Sequence, residues 1–395
     1  MTDAPSPIAL QIWDMKYRLK APDGSPVDDD VEASWRRVAS ALASAEDESG
    51  RDGHEQAFFD AMSGYKFLPA GRILAGAGTE RNVTLFNCFV MGTVPDDMAG
   101  IFDQLKEAAL TMQAGGGIGY DFSTLRPKGA RVKGVGADAS GPLTFMDVWD
   151  AMCRTIMSAG HRRGAMMATM RCDHPDIEAF IEAKQEPGRL RMFNLSVLVS
   201  DDFMQAVKED ATWELTFNGT VYHSLPAREL WEKIMRATYA YAEPGVIFID
   251  RINRLNPISY CETIHGTNPC GEQPLPPYGA CLLGSVNLSR FVSDPFTAQA
   301  SLDIQALTKI VTTAVRMMDN TIDVSRFPLP EQEQEAKAKR RIGLGITGLA
   351  DALIMCNARY GSAEAVRWTE TWLKTIQRAA YLTSTELAKE KGVFP

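Results

Sequence analysis

The pentapeptide Asn268-Pro269-Cys270-Gly271-Glu272 sets an amide, a thiol and a carboxylate at alternate positions. Pro269 and Gly271 both oppose a helix, so the segment is expected to be extended, with those three side chains on one side. A cysteine nucleophile acts as a thiolate, which needs a nearby cation or a histidine base. Here the nearest charged neighbour is Glu272, which disfavours a second negative charge. A neutral thiol beside a base and a hydrogen-bonding amide suits hydrogen-atom transfer better than acyl transfer. A lone cysteine in such a segment would ordinarily be structural, so its companions decide.

Two further cysteines qualify. Cys88 lies in the apolar, strand-like run Leu85-Phe-Asn-Cys-Phe-Val-Met91, and Cys281 follows Cys270 by eleven residues in Tyr278-Gly-Ala-Cys-Leu-Leu283. Neither forms a CxxC pair, and the spacing of Cys261, Cys270 and Cys281 matches no common zinc pattern, so no metal ligands are assigned. Two thiols gathered from distant segments could give two electrons to a substrate and close to a disulfide. Cys153, Cys172 and Cys356 have no such companions, and Cys153 fits the apolar side of a helix.

Glycines and cations form a second group. Gly115-Gly-Gly-Ile-Gly119 permits either a tight turn or close backbone approach to a ligand. Arg126, Lys128, Arg131 and Lys133 then follow with no acid among them, which fits a solvated face or a phosphate site. Gly343, Gly345 and Gly348 spell a dinucleotide-binding GxGxxG, but that motif needs a strand directly before it. The preceding EQEQEAKAKRR is polar and helix-prone, which weakens a nicotinamide-oxidoreductase reading.

The elements that must hold these residues suggest an α/β protein. The 395 residues are 45% hydrophobic and 23% charged, at the globular norm, which excludes disordered and fibrous classes. A net charge of −9 argues against general nucleic-acid or membrane binding, and seven scattered cysteines do not make a secreted scaffold. No membrane-spanning run or signal peptide is seen, so a cytoplasmic location is expected. Residues 1–66 read as a helical region. Amphipathic patterns return at Asp97–Met112 and Phe145–Ala159, and a helix is expected over His174–Glu186 with Asp173 as its cap. Strand-like runs at Leu195–Ser200, Trp213–Phe217 and Gly245–Asp250 alternate with helices, as in parallel α/β units.

NPCGEQPLPPYGACLLGSVNL closely resembles the finger loop of ribonucleotide reductase large subunits. FLPAGRILAGAG, TLFNCFVMGTVPDDM, QAGGGIGYDFSTLRPKG, the long segment from Gly141 to Ile181 and EPGVIFIDRIN resemble the same family in the same order, most closely its class II, adenosylcobalamin-dependent branch. The resemblance implies a ten-stranded α/β barrel of two five-stranded halves. Residues 67–395 would contribute the first half, the finger loop and the start of the second. It also implies reduction of ribonucleotides to deoxyribonucleotides for DNA synthesis. Cys270 would become the thiyl radical, Glu272 the general base and Asn268 the residue orienting the ribose. Cys88 and Cys281 would be the reducing dithiol. Asn87, Gly116 and Gly117 would line the substrate, while Asp96, Arg126, Lys133 and Arg162 would serve an allosteric dNTP or ATP effector. Arg162 would do so from a Gly- and Met-rich loop, Gly160–Met170.

Expected partners are a thioredoxin-type reductant and a second copy of the chain, packed through the helices at 97–112 and 145–159. The pattern also departs from the family. Gly71-Arg72 replaces the usual small hydroxyl residue, and the second barrel half with its terminal cysteine pair is not in the sequence. The alternative expectation is therefore a nucleotide-binding half-enzyme or assembly protein that needs a separate C-terminal chain.

Overall fold

The computed structural model describes residues 5–132, 136–156 and 164–394. Contacts divide the chain into two compact units, Cys88–Ala280 and the combination of Met1–Asn87 with Cys281–Pro395.

The Cys88–Ala280 unit is built on five parallel strands. They are β1 (Cys88–Val90), β2 (Gly117–Asp121), β3 (Met166–Arg171), β4 (Phe193–Val199) and β5 (Gly245–Phe248), adjacent in that order. Cys88 is level with Gly117, Ile118 with Met166, Met166 with Phe193, and Ser196 with Gly245. These runs are nearly all apolar because parallel strands with covered faces have no solvent side. Helices α1 (Met98–Gln113) and α2 (Pro142–Thr155) belong to the crossovers. Asp97 caps α1 by accepting from the Gly100 amide at 2.9 Å. Trp149 of α2 meets Tyr120 and Phe122 edge-on at 5.7 and 5.6 Å, joining helix and sheet in one aromatic core.

Three sequence expectations change here. Trp213–Phe217 lies in a strand, Thr212–Phe217, but it forms an antiparallel hairpin with Thr220–Pro226 and not a parallel unit. The cause is Asn218-Gly219, both at positive φ (49° and 75°), the backbone of a tight two-residue hairpin turn. The helix expected over His174–Glu186 is shorter, Ile177–Glu182, and Asp173 does not cap it. Asp173 instead pairs with Arg171 at 2.8 Å, and buried His174 bends the chain by accepting the Asp176 amide on Nδ1 while Nε2 meets the Leu125 carbonyl. Finally, Met166–Met170 is not loop but the buried central strand β3.

The second unit packs helices Val31–Ala43, Arg51–Met62, Ile304–Val324 and Ala363–Lys391 beside a three-stranded sheet. In that sheet Leu283–Asn287 is central, antiparallel to Phe67–Pro69 and parallel to Gly343–Thr347. The GxGxxG glycines therefore lie within and just after a strand, and what precedes them is the helix Pro330–Lys339. A helix at Pro7–Lys16 lies within the stretch 1–66 expected to be helical. Among the described residues no helix is long and apolar enough to cross a membrane.

One buried ion pair joins the early and late parts of this unit. Glu46 accepts from Arg316 twice at 2.8 Å and from Asn320 at 2.7 Å. Burial opposes its charge, but the Arg316 and Asn320 hydrogen bonds win and hold the carboxyl down at about 2. Because the folded-state value lies below the ordinary one, the stabilisation is complete above about 4.5 and is lost as pH falls towards 2. Glu46→Gln, which leaves Arg316 less compensated, should cost about 3 kcal/mol at pH 7. Urea titrations should show that difference shrinking as pH is lowered from 5 to about 3.

Candidate active site

The site of the Cys88–Ala280 unit is a hairpin laid across the parallel strands. Its arms, β6 (Gly266–Thr267) and β7 (Pro274–Leu275), pair antiparallel, with Pro274 level with Thr267. The tip is not extended, contrary to the sequence expectation. The Gly271 amide donates to the Asn268 carbonyl at 3.0 Å, and the Gln273 amide donates to Asn268 Oδ1 at 2.9 Å. Gly271 takes φ +81°, which only glycine adopts without strain. The turn separates the three side chains: Asn268 is wholly buried, while Cys270 and Glu272 are exposed. Asn268 thus braces the tip from within, and the thiol and carboxylate are offered outward.

The glycine run holds the hairpin down. A Cβ on Gly119 would lie 1.8 Å from the Thr267 carbonyl oxygen, and one on Gly117 would lie 2.9 Å from Pro269 Cγ and 3.1 Å from Cys88 Sγ. A Cβ on Gly116 would meet Phe89 and Thr111. The Thr267 backbone is therefore what requires glycine at 119, while the Pro269 and Cys88 side chains crowd position 117 and Gly117 brings the hairpin tip beside Cys88. Asn194 of β4 adds a direct tie, donating from Nδ2 to the Pro269 carbonyl at 2.6 Å. No sequence signal marked Asn194, which sits in an apolar strand.

Beyond the hairpin the chain turns at Pro276–Gly279, and the Gly279 carbonyl accepts from the Val90 amide at 2.8 Å. Tyr278 anchors that turn through a 3.1 Å hydrogen bond to Glu107 on α1. In the other unit, the Asn87 amide donates to the Cys281 carbonyl at 3.0 Å. Cys88 and Cys281 are both buried, at 3% and 2% exposure. Burial pushes the Cys153 thiol up to about 11 and the Cys172 thiol up to about 12, so both stay protonated and unreactive.

Among the described residues, two buried polar atoms of the hairpin, Thr267 Oγ1 and Asn268 Nδ2, have no hydrogen-bond partner, and in the other unit neither has Asn87 Oδ1. Two acceptor-capable oxygens and an amide donor left unmade are costly in a folded chain, and a hydroxyl-rich ligand would satisfy such groups. The expected effector pair, Asp96 and Arg126, bond to each other, with Arg126 Nε 2.9 Å from Asp96 Oδ2 and the Arg126 amide 3.0 Å from Oδ1. Lys133 and Arg162 lie outside the described residues.

Comparison with known proteins matches residues 86–395 to the ribonucleotide reductase barrel domain and residues 3–82 to the ribonucleotide reductase all-alpha domain. The chain is 40% identical over 394 residues to a vitamin B12-dependent ribonucleoside-diphosphate reductase of Mycobacterium tuberculosis, covering 98% of this chain and 56% of that protein. A protein of the same description from Thermoplasma acidophilum is 40% identical over 341 residues, covering 86% of this chain and 44% of the relative. A ribonucleoside-diphosphate reductase subunit alpha of Chlamydia pneumoniae is 28% identical, covering 91% and 37%. The chain spans about half the length of the curated relatives it matches.

Gly119→Ala should dislodge the hairpin, because its Cβ has no room against backbone. Hydrogen exchange at the Gly271 and Gln273 amides should accelerate sharply. Gly53→Ala, in a helix with nothing within 4 Å of the added Cβ, should leave those amides unchanged and add about 1 kcal/mol of stability.

Proposed function

Because the chain belongs to the ribonucleotide reductase large-subunit family, we propose that it reduces ribonucleotides to 2′-deoxyribonucleotides by thiyl-radical chemistry at Cys270. The observation that carries this reading is the tip of the hairpin. A wholly buried Asn268 has Oδ1 engaged and Nδ2 unpaired, directly behind an exposed thiol and carboxylate.

Bound adenosylcobalamin would supply the radical chemistry that converts the Cys270 thiol to a thiyl. The exposure of the Cys270 thiol at a turn suits access by a large group. Cys270 then takes the 3′ hydrogen of the ribose. Glu272 accepts the 3′ hydroxyl proton as general base. Asn268 Nδ2 donates to a ribose oxygen, which answers its missing partner. Asn87 Oδ1 accepts from a ribose hydroxyl, and the backbone at Gly116 and Gly117 flanks the base. Cys88 protonates the departing 2′ hydroxyl, which leaves as water. Cys88 and Cys281 together give two electrons and two protons and become a disulfide. One proton leaves in the water and the other completes the new C2′–H bond, while Glu272 returns its proton to the 3′ oxygen. Cys270 returns its hydrogen to C3′, so the thiol is restored. A thioredoxin-type reductant then reopens the disulfide for the next turnover. The names of the relatives favour diphosphate substrates.

Asp96, Arg126, Lys133 and Arg162 are proposed for a dNTP or ATP effector, with the Asp96–Arg126 pair opening to admit its ribose and phosphates. A homodimer is proposed through α1 and α2. Met98 and Phe102, one turn apart on α1, are 62% and 49% exposed, and Val148 on α2 is 37% exposed. Apolar residues so displayed on neighbouring helices suit a second copy.

Two outcomes are expected. Cys270→Ser in the complete protein should abolish deoxynucleotide formation from ribonucleoside diphosphate, adenosylcobalamin and dithiothreitol. A hydroxyl holds its hydrogen too strongly for the exchange. Product from the Ser variant, or none from the unsubstituted protein, would overturn the reading. Phe102→Asp should shift the sedimentation profile from dimer towards monomer without unfolding; an unchanged dimer would remove α1 from the interface.

A further inference from the structure

The start of β4 is held in an unusual way. Its ladder with β5 begins only at Ser196, level with Gly245, so the three residues before that have no strand on this side. Side chains take over there. The Met192 amide donates to Asp150 Oδ1 at 2.8 Å, the Phe193 carbonyl accepts from Lys184 Nζ, and the Leu195 amide donates to Glu243 Oε1 at 3.3 Å. Lys184 and Glu243 are themselves an ion pair, each about one-fifth exposed. The backbone is thus gripped on both sides of Asn194 by two charges that hold one another. On the other edge β4 pairs with β3, and Asn194 is level with Met167.

Asn194 is the residue between those two grips, and its amide donates to the Pro269 carbonyl at 2.6 Å. That carbonyl belongs to the peptide bond leading directly into Cys270. Met167, its neighbour on β3, places its Cε 3.8 Å from the Cβ position of Gly271, the residue just after the cysteine. One level of the sheet therefore contacts the chain on either side of the thiol. Cys270 itself is exposed, so its position is set through these neighbours.

We propose that Asn194, braced by the Lys184–Glu243 pair, is a positioning residue that fixes the Cys270 thiol for hydrogen-atom transfer. The proposal rests on the thiyl-radical reading of Cys270, to which it adds residues not otherwise implicated in the site. The bond fits a positioning role on three physical grounds. It acts on backbone, so it sets the path of the chain and not merely a rotamer. Its donor is anchored on a strand, which holds geometry better than a loop. Its acceptor precedes the reacting residue directly, so a small shift reaches the sulfur undiminished. Hydrogen transfer needs the reacting atoms within a narrow distance, and a displacement of about 1 Å can cost two orders of magnitude in rate.

The test uses Asn194→Ala and Asn194→Asp in the complete protein, with Lys184→Met and Glu243→Gln as braces removed one at a time. Aspartate keeps the shape but loses the donor. The first readout is iodoacetamide labelling, scored by peptide mass spectrometry as the Cys270 rate divided by that of Cys261, the other exposed cysteine. Both Asn194 variants should raise this ratio several-fold, because a freed tip presents its thiol more often, and each brace variant should raise it less. General loosening of the fold would speed both cysteines and leave the ratio unchanged, which would overturn the proposal. The second readout is turnover. In the Asn194 variants kcat should fall about tenfold or more while the nucleotide KM stays close to that of the parent. A parent that turns over, with variants unchanged in ratio and kcat, would refute the positioning role and leave the thiyl reading standing. A parent that makes no deoxynucleotide, with the labelling ratio still raised, would refute the thiyl reading and keep Asn194 as the anchor of Cys270.

Discussion

The contact on which the site depends is backbone against backbone, where the Thr267 carbonyl of the hairpin lies over Gly119 of β2. A methyl group at that point would come within 1.8 Å of the oxygen, so the hairpin can reach the sheet only over glycine. Everything else follows from how close the two chains come. Pro269 reaches Gly117 and, through it, the neighbourhood of Cys88. Asn268 is shut in completely, and its Oδ1 must cap the turn from inside. The thiol and carboxylate at positions 270 and 272 are left on the outside of a turn closed by the Gly271 and Gln273 amides on Asn268.

Such an arrangement divides the work between apolar and polar forces. The five parallel strands are held by burial of Met166, Ala168, Leu195, Val197 and their aromatic neighbours, which carries no information about chemistry. The polar side chains that matter are few and sit at strand ends, where ladders stop and backbone groups need partners. Asp150, Lys184 and Glu243 answer those groups at the start of β4, and Tyr278 ties the turn after the hairpin to the Glu107 side chain. In the hairpin itself, Thr267 Oγ1 and Asn268 Nδ2 are buried and still without a partner among the described residues.

The same logic separates the seven cysteines. Cys153 and Cys172 are raised to about 11 and about 12 by burial, so they serve as small apolar residues. Cys270 is displayed at a turn, and Cys88 is buried beside the glycine that receives the turn. Placement at the turn is what sets Cys270 apart from these buried thiols.

Much of this was legible in the chain itself. The apolar strands declared the α/β class, and the Asn-Pro-Cys-Gly-Glu segment and the glycine run marked where to look for a site, because each depends on residue type and local backbone freedom. Asn218-Gly219 also carried its hairpin in plain sight, although Trp213–Phe217 reads equally well as a parallel strand. Other features belonged to the tertiary structure. Period-two alternation suggested that Asn268, Cys270 and Glu272 share a face, but Gly271 at positive φ and the Asn268 cap close the turn and bury the first while exposing the others. Met166–Met170 looked like loop until burial on both sides made it the central strand. Asn194, Lys184 and Glu243 have nothing in their local sequence to mark them. They act on partners 9 to 75 residues away, and only folding brings those partners within hydrogen-bond reach.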